Sequence, residues 1–189
     1  MRMLLLAPPG AGKGTQGAAL AAHYGVEHIS SGDLLRAEIQ TGSALGERAE
    51  KYLVAGDLVP DDVLQDLLID PINTAAKSGG YILDGFPRTV AQSEAAAAVA
   101  EELGIALQAA VFLRVADDEL VRRLLARARG ADDTETTVRH RLEVYHRETE
   151  PLVVRYRERQ LLHEVDGDQP PDAVTASIVQ ALKGVDRRS

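Results

Sequence analysis

The 189-residue chain predicts an α/β fold in which a central parallel sheet of about five strands is covered by helices on both faces. Three observations predict it. Short apolar runs alternate along the sequence with segments of helical periodicity. The first apolar run passes directly into a glycine-rich turn and then a helix, the order that a parallel βα unit requires. Hydrophobic residues make up 45% of the chain against 26% charged, which is enough for one full core and one principal domain with small appendages.

Met3 to Ala7 reads as the first buried strand, and Thr15 to Tyr24 as the first helix, stopped by Gly25. Val26 to Ile29 is a weaker strand candidate. Residues 30–59 break the alternation: they are helical and punctuated by glycine. A helix over Asp62 to Ile69 is expected to end before Pro71, and Tyr81, Ile82 and Leu83 form a strand leading to Asp84. Gln92 to Leu103 is helical up to Gly104, Ala110 to Val115 is a strand, and Asp118 to Arg127 is a helix. Residues 127–135 are short, charged and lack a core pattern. Beyond them, Val138, Leu142, Tyr145, Leu152 and Tyr156 form a helical stripe that Pro151 should kink or divide, and Leu161 to Val165 is the last strand candidate. The two interrupting segments are candidate movable covers over a site.

The formal net charge of -8 opposes binding to a nucleic-acid backbone or an anionic membrane, so any phosphate must be held by local arginines and backbone N–H groups. With no cysteine, disulfides, thiolate catalysis and thiolate zinc sites are all excluded. The opening apolar run is too short for a signal segment, and no stretch approaches the roughly 20 apolar residues of a membrane span. The expectation is a cytoplasmic protein.

The segment APPGAGKGTQ, Ala7 to Gln16, sits between the first strand and the first helix. Its glycines let consecutive N–H groups turn toward phosphate, the Lys13 ammonium can reach the β and γ oxygens, and the Thr15 hydroxyl can serve a phosphate or Mg²⁺. A tight turn alone needs neither Lys13 nor Thr15. The spacing departs from the general phosphate-loop pattern, because Gly14 separates Lys13 from Thr15 and Ala7 stands at the first glycine position. If position 7 needs positive φ or very close phosphate approach, the Ala7 methyl weakens ATP binding; if φ is negative, little changes.

Gly10, Ala11, Gly12, Lys13, Gly14, Thr15 and Gln16 resemble the loop of the nucleoside monophosphate kinases. The likeness covers essentially the whole chain and lies closest to the adenylate kinases of the short-lid bacterial type. It implies a P-loop NTPase-type three-layer fold, with a core of residues 1–29, 60–126 and 136–189, an AMP-binding insertion at 30–59 and a short lid at 127–135.

DGFPRTVAQ, Asp84 to Gln92, looks like the family's second signature. Asp84 at a strand's carboxyl end can hold the water shell of Mg²⁺, Arg88 can grip an acceptor phosphate bidentately, and Gly85, Phe86 and Pro87 would line the AMP site. Gln92 carries the donor and acceptor needed to read an adenine edge, but Thr89 and Gln92 also have capping-box spacing. In ISSGDLLR the resemblance places AMP contacts on Ser31 and Arg36 and a Mg²⁺-water contact on Asp33; Ser31 is equally suited to cap a helix. LVAGDLVPDD resembles the AMP base pocket, with Asp57, Leu58 and Val59 enclosing the adenine.

Arg123 and Arg127 match the pair that serves ATP, and Arg141 matches the arginine that reaches across the transferring phosphate. Arg129 corresponds to a further lid arginine but stands one place out of register with the following Asp132 and Asp133, of which Asp132 would tether the lid or cap a helix. In VDGDQ, Gln169 is at the position that contacts the ATP adenine. The resemblance thus implies a monomer that uses ATP, AMP and ADP with Mg²⁺ and without zinc, by direct in-line transfer. Closure of both covers, a behaviour for which adenylate kinases are known, would exclude water. The rival readings are a UMP/CMP kinase, which usually has Asn after the DGFPR arginine where this chain has Thr89, and a nucleotide sensor without turnover.

Overall fold

A computed structural model describes residues 1–127 and 134–185. Five strands, β1 (Arg2–Leu6), β2 (Glu27–Ser30), β3 (Tyr81–Asp84), β4 (Ala109–Arg114) and β5 (Leu162–Asp166), form one sheet in the order β2-β3-β1-β4-β5. Every neighbouring pair is parallel. The helices are α1 (Lys13–Tyr24), α2 (Ser31–Thr41), α3 (Ala44–Ala55), α4 (Asp61–Lys77), α5 (Val90–Glu102), α6 (Asp117–Arg127), α7 (Glu135–Val144), α8 (Pro151–Glu158) and α9 (Pro171–Ala181).

The twofold period of β1 divides the core. Met3 and Leu5 join Leu20 of α1, Leu120 of α6, Leu142 of α7 and Val174, Ile178 and Leu182 in and after α9 on one face. Leu4 and Leu6 join Leu35 of α2, Val63, Leu64, Leu67 and Leu68 of α4, and Leu152 and Tyr156 of α8 on the other. Both faces of the central strand are therefore dry, which is why it reads as an unbroken apolar run.

Three helices differ from the sequence expectation. Instead of stopping before Pro71, α4 runs through it to Lys77. Proline in a helix interior forfeits one hydrogen bond and crowds the preceding turn, at a cost of about 3 kcal/mol. Leu67 and Leu68 before it and Ala75 beyond it are all buried in the same core, so packing outweighs the local penalty. The stripe after Thr134 does divide, but through a π-helical turn, Tyr145–Thr149, before Pro151 opens α8 in its first turn. Helix α9 was missed, although Val174, Ile178 and Leu182 repeat every four residues behind Pro171.

The π turn is pinned to α6 by His146, whose ring nitrogens lie 3.0 Å from Asp117 Oδ2 and 3.0 Å from Glu150 Oε2. Partial burial pulls the imidazole pKa down, but the hydrogen bonds to Glu150 and Asp117 outweigh it and raise the pKa above its ordinary 6.5. A raised folded-state pKa gives stability that is fully present below the unfolded value and is lost as pH rises through the folded one. The thermal midpoint is therefore expected to fall as pH rises from about 6 through the raised pKa, by only about 2 °C from this group because it is solvent-accessible. In His146→Gln that component of the pH slope should vanish, and differential scanning calorimetry across the range checks it.

Candidate active site

The carboxyl ends of β1, β2 and β3 open into a cleft of about 790 Å³. Lys13, Gly14 and Thr15 line one part of it; Ser31, Asp33, Arg36, Asp57, Leu58, Val59, Arg88, Gln92 and Arg141 line another, with Asp84 and Arg123 also on its wall. Ligands of open α/β sheets bind at this end of the strands.

The glycine-rich loop leaves β1 and delivers Gly12 as the cap of α1, with φ 93° and no side-chain bond to the helix. The first-turn N–H groups are thus left to an anion. Gly10 has φ 87°, and a Cβ there would fall 2.8 Å from Leu124 Cγ, so only glycine lets the loop pass this close to α6. Lys13 Nζ donates to the carbonyls of Ala7 at 2.7 Å and Pro8 at 3.1 Å, which bends the side chain over the loop. Among the described residues, Gln160 is the one non-glycine residue with positive φ, so Ala7 carries no left-handed strain. Its methyl is buried against the core that includes Leu20 and Leu120. Gln16 is not on the cleft: its amide donates to Pro171 O at 3.0 Å and accepts from Thr175 Oγ1 at 2.7 Å, tying α1 to α9.

On the acceptor side, the capping of α2 falls to Ser30, whose Oγ accepts from Asp33 N at 3.3 Å. Ser31 is therefore released from that duty. Its hydroxyl is fully buried and without a hydrogen-bond partner. Gly85 follows β3 with φ 83°, and a Cβ on it would lie 2.5 Å from Ser31 Oγ, so the second signature and the start of α2 are in close contact. Arg36 donates to Asp33 Oδ1 at 2.5 Å.

Arg88 is set deep in the cleft wall, its Nε donating to Gly85 O at 2.8 Å while Thr149 Oγ1 holds its carbonyl at 2.8 Å. Burial pushes the guanidinium pKa down; the Asp84 carboxylate opposes this, and Arg141 and Arg36 add to it. Arginine does not give up its proton, so the group remains a desolvated cation among like charges, an arrangement relieved by an anion. Gln92 is buried and uses both ends of its amide: Oε1 accepts from Arg88 N at 2.7 Å and Nε2 donates to Asp61 Oδ1 at 2.6 Å. Thr89 caps α5 by accepting from Gln92 N at 3.2 Å. Thr89 thus caps the helix, while the Gln92 side chain reaches the N–H one residue before the cap instead of that of Thr89, and one N–H and one lone pair of its amide remain on a residue that lines the cleft.

Arg141, on α7, donates to Leu53 O at 3.1 Å, and the neighbouring His140 Nε2 lies 2.7 Å from Asp57 Oδ1. Both contacts join α7 to the end of the 30–59 insertion. Arg123 donates to Glu119 Oε1 at 2.6 Å, Gly167 O at 3.2 Å and Asp168 Oδ1 at 2.9 Å, which places it beside the VDGDQ segment. Hydrogen bonds from Arg122 and Arg123 hold the Glu119 carboxyl at a pKa of about 2. Gln169 is not on the cleft and donates to Asp166 O at 3.4 Å. Gly14, Ala11, Phe86 and Pro87 belong to the two signature segments, with Ala11 buried in the core on the Leu20 face of the sheet and Phe86 packed against the core on the opposite face. Arg129, Asp132 and Asp133 lie outside the described residues, as does the side chain of Arg127.

No group of three or more metal-ligating side chains occurs among the described residues. Mg²⁺ does not require one, since it keeps several waters and takes one or two carboxylates together with substrate phosphates. Asp33, Asp84 and the Thr15 hydroxyl, all on one cleft, are a hard-oxygen set that fits this mode.

Sequence reasoning missed two cleft groups. His28 lies so close over Gly17 that a Cβ there would meet its Nε2 at 2.2 Å, and its Nε2 stands 4.0 Å from Asp84 Oδ2. Tyr145, on the π turn, has a buried hydroxyl whose pKa is raised, first by burial and then by Glu150. Among the described residues, the buried side-chain polar atoms without a partner are His28 Nε2, Ser31 Oγ and Tyr145 OH, and all three residues line this cleft. Unmade buried hydrogen bonds are costly, and their concentration in one cavity marks it as a ligand site.

A family model described as adenylate kinase matches residues 5–161. The chain is 48% identical over 181 residues to an adenylate kinase of Synechococcus sp., with 96% of this chain and 98% of the relative covered. It is 45% identical over 185 residues to adenylate kinases of Nocardioides sp. and Kocuria rhizophila, covering 96% of this chain and at least 97% of each relative. A glycine-rich loop and a facing arginine cluster on one parallel sheet, with near-complete coverage by these relatives, place the chain in the adenylate kinase family.

Proposed function

We propose that this chain catalyses the reversible transfer of the terminal phosphoryl group of MgATP to AMP, giving two ADP. The observation that carries the reading is one cleft in which the Lys13 loop faces Ser31, Arg36, Arg88 and Arg141, so that two anionic ligands can meet there. Lys13 and the α1 N-terminus hold the donor phosphates, and Arg123 contributes from α6. Arg88, Arg36 and Ser31 hold the acceptor phosphate, while Arg141 spans the two. Charge spreads over the equatorial oxygens of the transferring group, so fixed cations supply the stabilisation and no covalent enzyme intermediate is needed. Asp33, Asp84 and Thr15 would hold Mg²⁺ through its waters, and the ion would neutralise charge on the donor phosphates. Gln92, Asp57, Leu58 and Val59 enclose the acceptor base. Residues 30–59 act as the AMP-binding unit and 127–135 as a short lid, with Arg127 and Arg129 completing the ATP side. The chain acts as a monomer in the cytoplasm; among the described residues no helix is long and apolar enough to cross a membrane.

The test is ADP formation from MgATP with AMP, UMP, CMP and GMP offered singly. AMP should be used at least a hundredfold more efficiently than the others, because a site built to hydrogen-bond one base edge leaves buried groups unpaired with another. A preference for a pyrimidine acceptor would make the chain a UMP/CMP kinase, and nucleotide binding without turnover would make it a sensor.

A further inference from the structure

The Gln92 amide is held from two sides by partners of opposite kind. Arg88 N–H can only donate, and it takes Oε1 at 2.7 Å. The Asp61 carboxylate can only accept, and it takes Nε2 at 2.6 Å. Rotating the amide by 180° would set N–H against N–H and oxygen against carboxylate. One orientation is therefore allowed, in a side chain that is 4% exposed.

Asp61 is the first residue of α4, where a carboxylate ordinarily does no more than favour the helix dipole. Asp62 beside it already serves that end and pairs with Arg48 across the surface. Asp61 instead reaches the start of α5, 31 residues further along the chain. It also follows Leu58 and Val59 with only Pro60 between, so it links the wall of the proposed base pocket to the residue proposed to read the base.

We propose that Asp61 is a specificity-determining positioning residue: it fixes the Gln92 amide in the one orientation that matches a 6-amino purine and opposes a 6-oxo purine. The inference rests on the reading of Gln92 as the base contact. Adenine offers a donor at N6 and an acceptor at N1, which pair with the remaining lone pair of Oε1 and the remaining N–H of Nε2. Hypoxanthine offers the reverse, an acceptor at O6 and a donor at N1, and needs the flipped amide. With Asp61 present, the flip loses a charge-assisted hydrogen bond and the Arg88 N–H bond together. Without it, only the second is lost.

The experiment compares kcat/KM for AMP and for IMP, at saturating MgATP, in the unaltered protein and in Asp61→Ala, Asp61→Asn and Gln92→Ala, with the thermal midpoint of each. The AMP-to-IMP ratio is expected to fall about tenfold in Asp61→Ala, the worth of one hydrogen bond to a charged group. Asp61→Asn can turn its own amide to donate to a flipped Gln92 Oε1, so it keeps a hydrogen bond but not the acceptor-only lock, and the ratio should fall there by about as much as in Asp61→Ala. A ratio unchanged in Asp61→Ala but reduced in Gln92→Ala would overturn the role of Asp61 and leave the base reading standing. A ratio unchanged in Gln92→Ala would overturn the base reading itself. A ratio lost in Asp61→Ala but retained in Asp61→Asn would overturn the acceptor-only lock, and a lower midpoint with no change in ratio would make Asp61 a structural residue only.

Discussion

Replacing Lys13 by alanine is expected to lower kcat by about a thousandfold while leaving the fold intact, since removal of one fixed charge aimed at a transition state costs about 3–4 kcal/mol. The expectation follows from how the side chain is held. Its ammonium is bent over the loop by the carbonyls of Ala7 and Pro8, so it is placed before any substrate arrives. Preorganised charge of this kind acts on the transferring group without waiting for reorganisation. Lys13 is only half-buried and lies outside both core clusters, so its removal creates no cavity. Steady-state kinetics with both substrates varied, together with a melting curve, checks it. A rise in the KM for ATP with kcat preserved would instead make Lys13 a ground-state contact.

Much of this architecture is legible from residue order because its elements are dictated locally. Buried parallel strands are apolar on both faces, so Met3 to Ala7 and Ala110 to Val115 stand out, and the structure places strands there with ends shifted by one residue. The phosphate loop is likewise local, since strand, glycines, Lys13 and helix are consecutive. What sequence order does not carry is contact between distant segments. The four-residue repeat of α9 was available to periodicity, whereas the passage of α4 through Pro71 depends on a core that no local rule sees. The same holds in the cleft. That Asp61 grips Gln92 is an outcome of packing between elements far apart in the chain, and that His28 lies over Gly17 follows from how α1 packs on β2, whereas the choice of Ser30 over Ser31 as the cap of α2 is local and turns on where the helix starts. The position of Ala7 was a conditional question that only its backbone conformation could answer.

Arg88→Met is expected to separate stability from activity. In the free protein Arg88 is a cation pressed into the cleft wall, disfavoured first by burial and then by Arg141 and Arg36, with Asp84 as the opposing charge. A methionine of similar length keeps most of the packing and removes the desolvated charge together with its repulsion by Arg141 and Arg36, against which stands the lost attraction of Asp84. It gives up the bond from Nε to Gly85 O, which is worth about 1 kcal/mol. The thermal midpoint should therefore stay within about 3 °C of the unaltered protein, or rise. Activity should collapse: kcat/KM for AMP is expected to fall about a thousandfold, with the KM for ATP little changed, because the group lost is the one aimed at the acceptor phosphate. Arg88→Lys should recover little of this, since an ammonium offers a point charge in place of a planar fork and cannot reproduce the Gly85 contact while gripping two phosphate oxygens. A large fall in midpoint with modest loss of activity would show the opposite, that Arg88 holds the β3–α5 connection together and the acceptor phosphate is bound elsewhere. A cation disfavoured by burial in the free protein is retained for its ligand, and the wall of this cleft sets Arg36 and Arg141 near Arg88 around one place for an anion.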